Sequence, residues 1–275
     1  MTMLQHPLVY VFGILGNIIS FGVFLAPIPT FYKIVKKKST QGFQSVPYLI
    51  ALFSCMLWIY YALVKTNAFF LITINSIGCV IETIYIVIFL IYATKNSRIL
   101  TVKILVLLNI GVLSLIVLLT HFLVKSTSKR LKILGWICLV FNITVFVAPL
   151  GVLKQVIRTK SAEFMPFPLS ACLTLNAVAW FFYGLLLKDY FIALPNILGF
   201  VFGIIQMILY FIYKNHKDGP KQQMAMNSIV TDPKDTIDAA HHGLENPVCI
   251  SLPISQAIVQ ENHQRDHSQP SFGQV

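Results

Sequence analysis

Two asparagines, Asn75 and Asn196, sit in the middle of long apolar stretches and at matched places of an internal repeat. A carboxamide in hydrocarbon must find partners, and each brings two N–H donors and a carbonyl acceptor. Taken singly, such a residue is usually interhelical glue, worth about 0.6–2 kcal/mol. A symmetric pair points further, because solutes cross membranes at midplane sites between repeats. Trp58 and Trp180 form a second pair. Their plainer reading is an interfacial belt, yet an indole face with one N–H donor also stacks on the C–H face of a sugar ring. Four residues before each, on the same helical face, stand Ser54 and Asn176; Ser20 and Asn142 correspond in an earlier stretch, with Val23 and Val145 beside them. The set offers neutral donors and acceptors between aromatic walls and no charge. That chemistry suits an uncharged polyhydroxyl solute, and not an ion or a lipid.

The elements that must hold these residues are membrane spans. Apolar residues make up 56%, charged residues 11%, and mean hydropathy is +0.75; soluble domains carry about 25% charged residues. With roughly 20 apolar residues needed per span, seven are expected: 8–31, 46–64, 69–93, 101–124, 133–153, 167–187 and 191–213. The N-terminal run lacks a basic n-region and an A-x-A site, and reads as the first span, not as a cleaved signal. The five cysteines show no CxxC spacing and read as buried thiols.

A duplication organises the spans. SFGVFLAPIPTFYKIVKKKS (20–39) overlays NITVFVAPLGVLKQVIRTKS (142–161), each an apolar run broken by proline and followed by a basic patch. Ser54-x-x-x-Trp58-x-x-Tyr61 then matches Asn176-x-x-x-Trp180-x-x-Tyr183, and Asn75-x-x-Gly78 matches Asn196-x-x-Gly199. Spans 1–3 therefore recur as spans 5–7, while span 4 matches neither and inverts the second repeat so that the two run parallel. The fold class is an all-α membrane protein: seven transmembrane helices as two parallel three-helix bundles (3+1+3) joined by an inverting linker helix. The expected units are 1–95, first repeat; 96–132, linker helix and loops; 133–214, second repeat; and 215–275, a polar tail with no core to order it.

Lys and Arg set the orientation. Thirteen lie on the side of the N-terminal basic patch and the tail, six on the other. The positive-inside rule then places the N-terminus outside and the C-terminus in the cytosol, against the dissent of Lys125, Lys129, Arg130 and Lys132. A positive loop bias reports orientation, so no nucleic-acid partner is implied. Glu82, the acid well inside a span, is a candidate proton relay, but its repeat partner is Gly203, outside the symmetric set. Asp189, in the second hairpin, is placed to bond Tyr61 or Tyr183 as a latch. Zinc-protease, P-loop and nucleophile-elbow motifs are absent, so neither an enzyme nor a cofactor or metal is expected.

FGILGNIISFGVFLAPIPTFYKIVKKKST, LFSCMLWIYYAL, ITINSIGCVIETIYI, FVAPLGVLKQVIRTKSAEFMPF and KDYFIALPNILGFVFGIIQMILY together resemble the plant SWEET sugar transporters of the PQ-loop superfamily. That family is itself a stock example of parallel repeats about an axis along the membrane normal. The resemblance covers 10–214 and implies a passive, uncoupled, bidirectional sugar carrier in the plasma membrane, with the vacuolar membrane as the alternative. It implies a central pair at Asn75 and Asn196 flanked by Trp58 and Trp180. It also implies hinge prolines at Pro27, Pro47, Pro149 and Pro166, and an extracellular gate of Tyr61 with Asp189. The chain is most similar to the sucrose-moving subgroup; Asn142 and Asn176 stand where that subgroup usually has Ser, which leaves a hexose such as glucose as the alternative substrate. Homo-oligomers are left open. A seven-helix receptor is a distant alternative, disfavoured by the duplication and by the absence of D-R-Y and N-P-x-x-Y motifs.

Overall fold

The computed structural model describes residues 7–145, 147–160 and 167–214, with the side chains of 145 and 147–149 left out. Val145, Pro149 and Pro166 therefore lie outside the described side chains, as does the tail 215–275. Among the described residues ten α-helices form: α1 (Pro7–Leu25), α2 (Ile28–Lys37), α3 (Val46–Lys65), α4 (Phe69–Tyr92), α5 (Lys95–Ile104), α6 (Leu113–Leu123), α7 (Thr127–Val145), α8 (Val147–Thr159), α9 (Phe167–Leu186) and α10 (Tyr190–Tyr213). A π-helical stretch, Leu105–Val112, joins α5 to α6. Among the described residues six continuous helical segments are long and apolar enough to span a membrane, and α7 with α8 occupies the place of the fifth expected span.

Helix is the form the apolar runs must take, since a bilayer offers no water to an unpaired backbone group. The one described break in the first span illustrates the rule. At Pro27, which lacks an N–H, α1 stops and α2 begins; the carbonyl of Phe24 is then taken by the Tyr85 hydroxyl at 2.9 Å.

The two repeats carry the same packing. α1 lies on α4 and α9; in the second repeat α7 lies on α10 and α3. Exchange of repeats turns each pair into the other, as an axis along the membrane normal requires. Local features obey it too. Lys38 and Lys160 both take left-handed backbone (φ 51 and 53) after α2 and α8, and Thr66 and Lys188 do so (φ 68 and 51) at the two hairpins. Phe70 presses on Gly13 of α1, and Phe191 on Gly135 of α7, where a Cβ would collide with the ring. Residues in these left-handed C-caps close the helix ends.

The linker helix begins at Lys95, six residues before the span expected at 101, and α7 begins at Thr127, six before the one expected at 133. The 125–132 cluster is consequently not a plain loop. Arg130, in the first turn of α7, folds back onto the open end of α6 and donates to the carbonyls of Thr120, His121 and Val124 at 3.0, 3.2 and 3.0 Å. A guanidinium at a helix C-terminus satisfies orphan carbonyls and complements the dipole; one of the four dissenting charges thus has a capping role.

Candidate functional site

A cavity of about 340 Å³ opens between the repeats. Its polar lining is Ser20 from α1, Ser54 and Trp58 from α3, Asn75 from α4, Asn142 from α7, Asn176 and Trp180 from α9, and Asn196 from α10; Val23 also lines it. Nine of the ten pocket residues expected from sequence are thus brought together, and the tenth, Val145, is outside the described side chains.

The first repeat's longest contribution comes as a stripe. Along α3 the lining positions are Pro47, Ile50, Ala51, Ser54, Cys55 and Trp58, the three- and four-residue spacing of one helical face. Asn75 and Asn196 face the cavity from equivalent turns of α4 and α10. Each donates one amide N–H to the carbonyl four residues back, Leu71 at 2.8 Å and Ile192 at 2.7 Å. That bond fixes the rotamer, and the second N–H and the carbonyl oxygen remain for a solute. Asn142 is held likewise, on the Cys138 carbonyl at 2.8 Å.

The α1/α9 seam carries a chain of hydrogen bonds. The Trp180 indole N–H donates to Ser20 Oγ at 3.0 Å, and Ser20 donates to Asn176 Oδ1 at 2.7 Å. Gly16 leaves the indole its space: a Cβ there would lie 2.9 Å from Cε2. Across the axis, Trp58 makes no equivalent bond among the described residues.

The cavity ends at Trp58 toward the hairpins. Beyond it Tyr61 Oη donates to Asp189 Oδ2 at 2.6 Å, and the Lys65 ammonium pairs with the same oxygen. Asp189 Oδ1 accepts from the backbone N–H groups of Phe191 and Ile192 at 3.0 and 3.3 Å, capping α10. One buried carboxylate thus ties α3 to α10 and starts a helix. Of the two tyrosines the sequence left open, Tyr61 makes the bond; Tyr183 packs edge-on against Trp180 and Phe70. Sequence reasoning counted Lys65 only as a loop charge, although its place four residues after Tyr61, on the same face, was a usable signal. It also missed Phe24, Cys55, Ile192 and Pro195 as wall residues.

The prolines differ. Pro27 breaks the first span. Pro47 lies in the first turn of α3, where a missing N–H is tolerated, so it shapes the start of the helix and does not interrupt it. Glu82 is buried at 5% exposure with Oε2 unpartnered among the described residues, apart from the cavity lining. At its counterpart, Gly203, the space is filled by Thr174.

Comparison with known proteins matches a family model described as "Sugar efflux transporter for intercellular exchange" to residues 10–97 and 132–218, one stretch on each repeat. The chain belongs to this family. Among its relatives are the bidirectional sugar transporters SWEET13 of Oryza sativa subsp. japonica, 61% identical over 212 residues (77% of this chain, 71% of that one), and N3 of Medicago truncatula, 57% identical over 215 residues (78% and 80%). SWEET11 of Arabidopsis thaliana is 57% identical over 211 residues (77% and 73%). The solved structure of a eukaryotic SWEET transporter superposes with a TM-score of 0.72 at 36% identity, covering 76% of this chain and 98% of that one. The two matched stretches of the sugar-efflux-transporter family fall on the two three-helix repeats, with most of the linker helix between them.

Proposed function

We propose that this chain is a bidirectional, uncoupled sugar carrier that works by alternating access, with sucrose as its substrate. The observation that carries the reading is the cavity itself. Two amides, two indoles and two amide–hydroxyl pairs, contributed in equal measure by both repeats, face one uncharged space of about 340 Å³. Solute sites of this kind run roughly 300–1,000 Å³. Asn75 and Asn196 are the central hydrogen-bond partners of the sugar hydroxyls, and Trp58 and Trp180 hold the ring faces. Family membership and the names of the relatives support the substrate class. Tyr61, Asp189 and Lys65 close the hairpin end, which by the positive-inside rule is the outer side; Pro27, Pro47, Pro149 and Pro166 shape the helices that must move at the other end, and the membrane in this reading is the plasma membrane. A hexose carrier is the second reading, favoured by the bulk of Asn142 and Asn176.

The test is uptake and efflux of labelled sucrose and labelled glucose in oocytes expressing the chain, with and without a protonophore. Downhill flux in both directions, insensitive to the protonophore and larger for sucrose, is the expected result. Flux abolished by the protonophore and by Glu82→Gln would replace the uncoupled reading with proton coupling; glucose flux exceeding sucrose flux would select the hexose carrier.

A further inference from the structure

The linker helix does more than reverse the direction of the chain. Near the basic end, two of its buried side chains reach α3 on either side of Pro47. Thr101, fully buried, donates to its own helix at the Ser97 carbonyl (2.8 Å), so the 2.6 Å contact between its hydroxyl and Ser45 leaves Ser45 as the donor. Two turns on, Asn109 donates through Nδ2 to the Leu49 carbonyl at 3.2 Å, while its Oδ1 stays buried and unpartnered among the described residues. Leu49 precedes Ile50 and Ala51, which line the cavity.

The π-helical stretch explains how both side chains reach one partner. At 3.6 residues per turn, the eight residues from Thr101 to Asn109 would leave them about 80° apart around the helix. Residues 105–112 are wound in wider turns that rotate less per residue, which removes most of that offset. A π segment spends helix regularity, and here it points an amide at α3.

We infer that the linker helix clamps the start of α3, with Thr101 and Asn109 as positioning residues that keep the Pro47 turn, and the cavity wall after it, fixed to the linker while sugar passes. The consequence for sugar rests on the transport reading above; the clamp itself does not. The second repeat receives no comparable packing from the linker among the described residues: the linker's end touches α7 and its body packs on α3. Among the described residues the linker therefore bonds one basic-end wall and not the other.

Hydrogen–deuterium exchange on the purified full-length chain in lipid nanodiscs tests this directly. Thr101→Val and Asn109→Leu should each speed amide exchange across residues 45–53 by about fivefold or more, as expected for the loss of a buried bond, with α9 and α10 unchanged. Thr101→Ser, which keeps the hydroxyl, should exchange like the native chain. In proteoliposomes the two releasing variants should lower maximal sugar flux about twofold or more with half-saturation kept, the mark of a conformational step and not of binding. Unchanged exchange at 45–53, or a uniform rise along the chain, would overturn the clamp. If exchange rose locally as expected but the native chain itself carried no sugar, the clamp would stand and the transport reading would fall.

Discussion

The α1/α9 seam and the α7/α3 seam are the same construction with its residues exchanged. One places Ser20 on the first helix and Asn176 and Trp180 on the second; the other places Asn142 on the first helix and Ser54 and Trp58 on the second. Each has one serine, one asparagine and one indole. Yet the first is laced by the Trp180–Ser20–Asn176 chain, while in the second Asn142 turns to its own helix. Backbone pseudo-symmetry is thus obeyed more closely than hydrogen bonding. The cavity has one preorganised wall and one whose polar groups are still to be engaged, and a solute lacking twofold symmetry, such as a disaccharide, fits two unlike walls better than two identical ones.

The largest effects should come from groups common to both walls. Losing a partner of a buried hydroxyl costs about 1–3 kcal/mol, roughly five- to a hundredfold in affinity. Asn75→Ala and Asn196→Ala should each approach the upper end, measured as initial uptake at low sugar with surface expression matched. Trp180→Ala should follow closely, since it loses stacking and also frees Ser20 and Asn176; Trp58→Ala should cost less. Equal losses at the two tryptophans would erase the distinction between the walls.

The hairpin end offers an intermediate effect. Asp189→Asn keeps a good helix cap but removes the charge that binds Lys65 and Tyr61. An isolated buried ion pair is costly to break on one side, and Lys65 keeps a little exposure, so the hairpin-end closure should loosen by about 3 kcal/mol, the lower end of that cost. A cysteine placed at Ser54 should then react faster with a membrane-impermeant thiol reagent added from the hairpin side, while thermal stability of the detergent-solubilised protein falls less than in Asp189→Ala. Identical behaviour of the two variants would mean that the latch, and not the cap, is what Asp189 supplies.

A smaller change is expected at the first-span break. Tyr85→Phe leaves the Phe24 carbonyl without its described partner. The loss of one such bond, about 1 kcal/mol, should reduce turnover several-fold with half-saturation little changed. Pro27→Ala should slow turnover more, by allowing the helix to close its ladder.

How much of this was legible in the residues depends on what each feature is made of. The spans, the duplication and nine pocket residues could be read because they repeat: a matched Asn or Trp in two apolar runs is visible without coordinates. The Tyr61–Asp189 pair was visible as two alternatives, since spacing along a helix cannot say which of two tyrosines turns toward a distant carboxylate. Lys65, the capping by Arg130 and the π-helical turns at Asn109 were not read. Each depends on a contact between segments distant in space or on a backbone winding that no residue type announces. The asymmetry of the seams is of the same kind. Ser20 and Asn142 are both short and polar, and only the rotamers, fixed by neighbours such as Gly16 beside Trp180, decide which one bridges.

The finest probe of the two walls is a pair of single-residue exchanges. Asn176→Ser removes the acceptor that holds Ser20, and with it one end of the α1/α9 chain; Asn142→Ser removes an amide that bonds only its own helix among the described residues. Both shorten a side chain that lines the cavity, so both should favour the larger sugar and raise the ratio of sucrose to glucose uptake. The seam difference predicts that they will not do so equally. Releasing Ser20 costs about 1 kcal/mol of preorganisation, up to fivefold in affinity for either sugar, so Asn176→Ser should combine a raised ratio with lower uptake of both. Asn142→Ser should raise the ratio with total uptake nearly kept. Uptake curves for each sugar with each variant, at matched surface expression, separate ratio from magnitude. If both variants moved ratio and magnitude alike, the hydrogen-bonded chain at the α1/α9 seam would have no part in holding the sugar; if neither moved the ratio, positions 142 and 176 would not bound the space in which it sits.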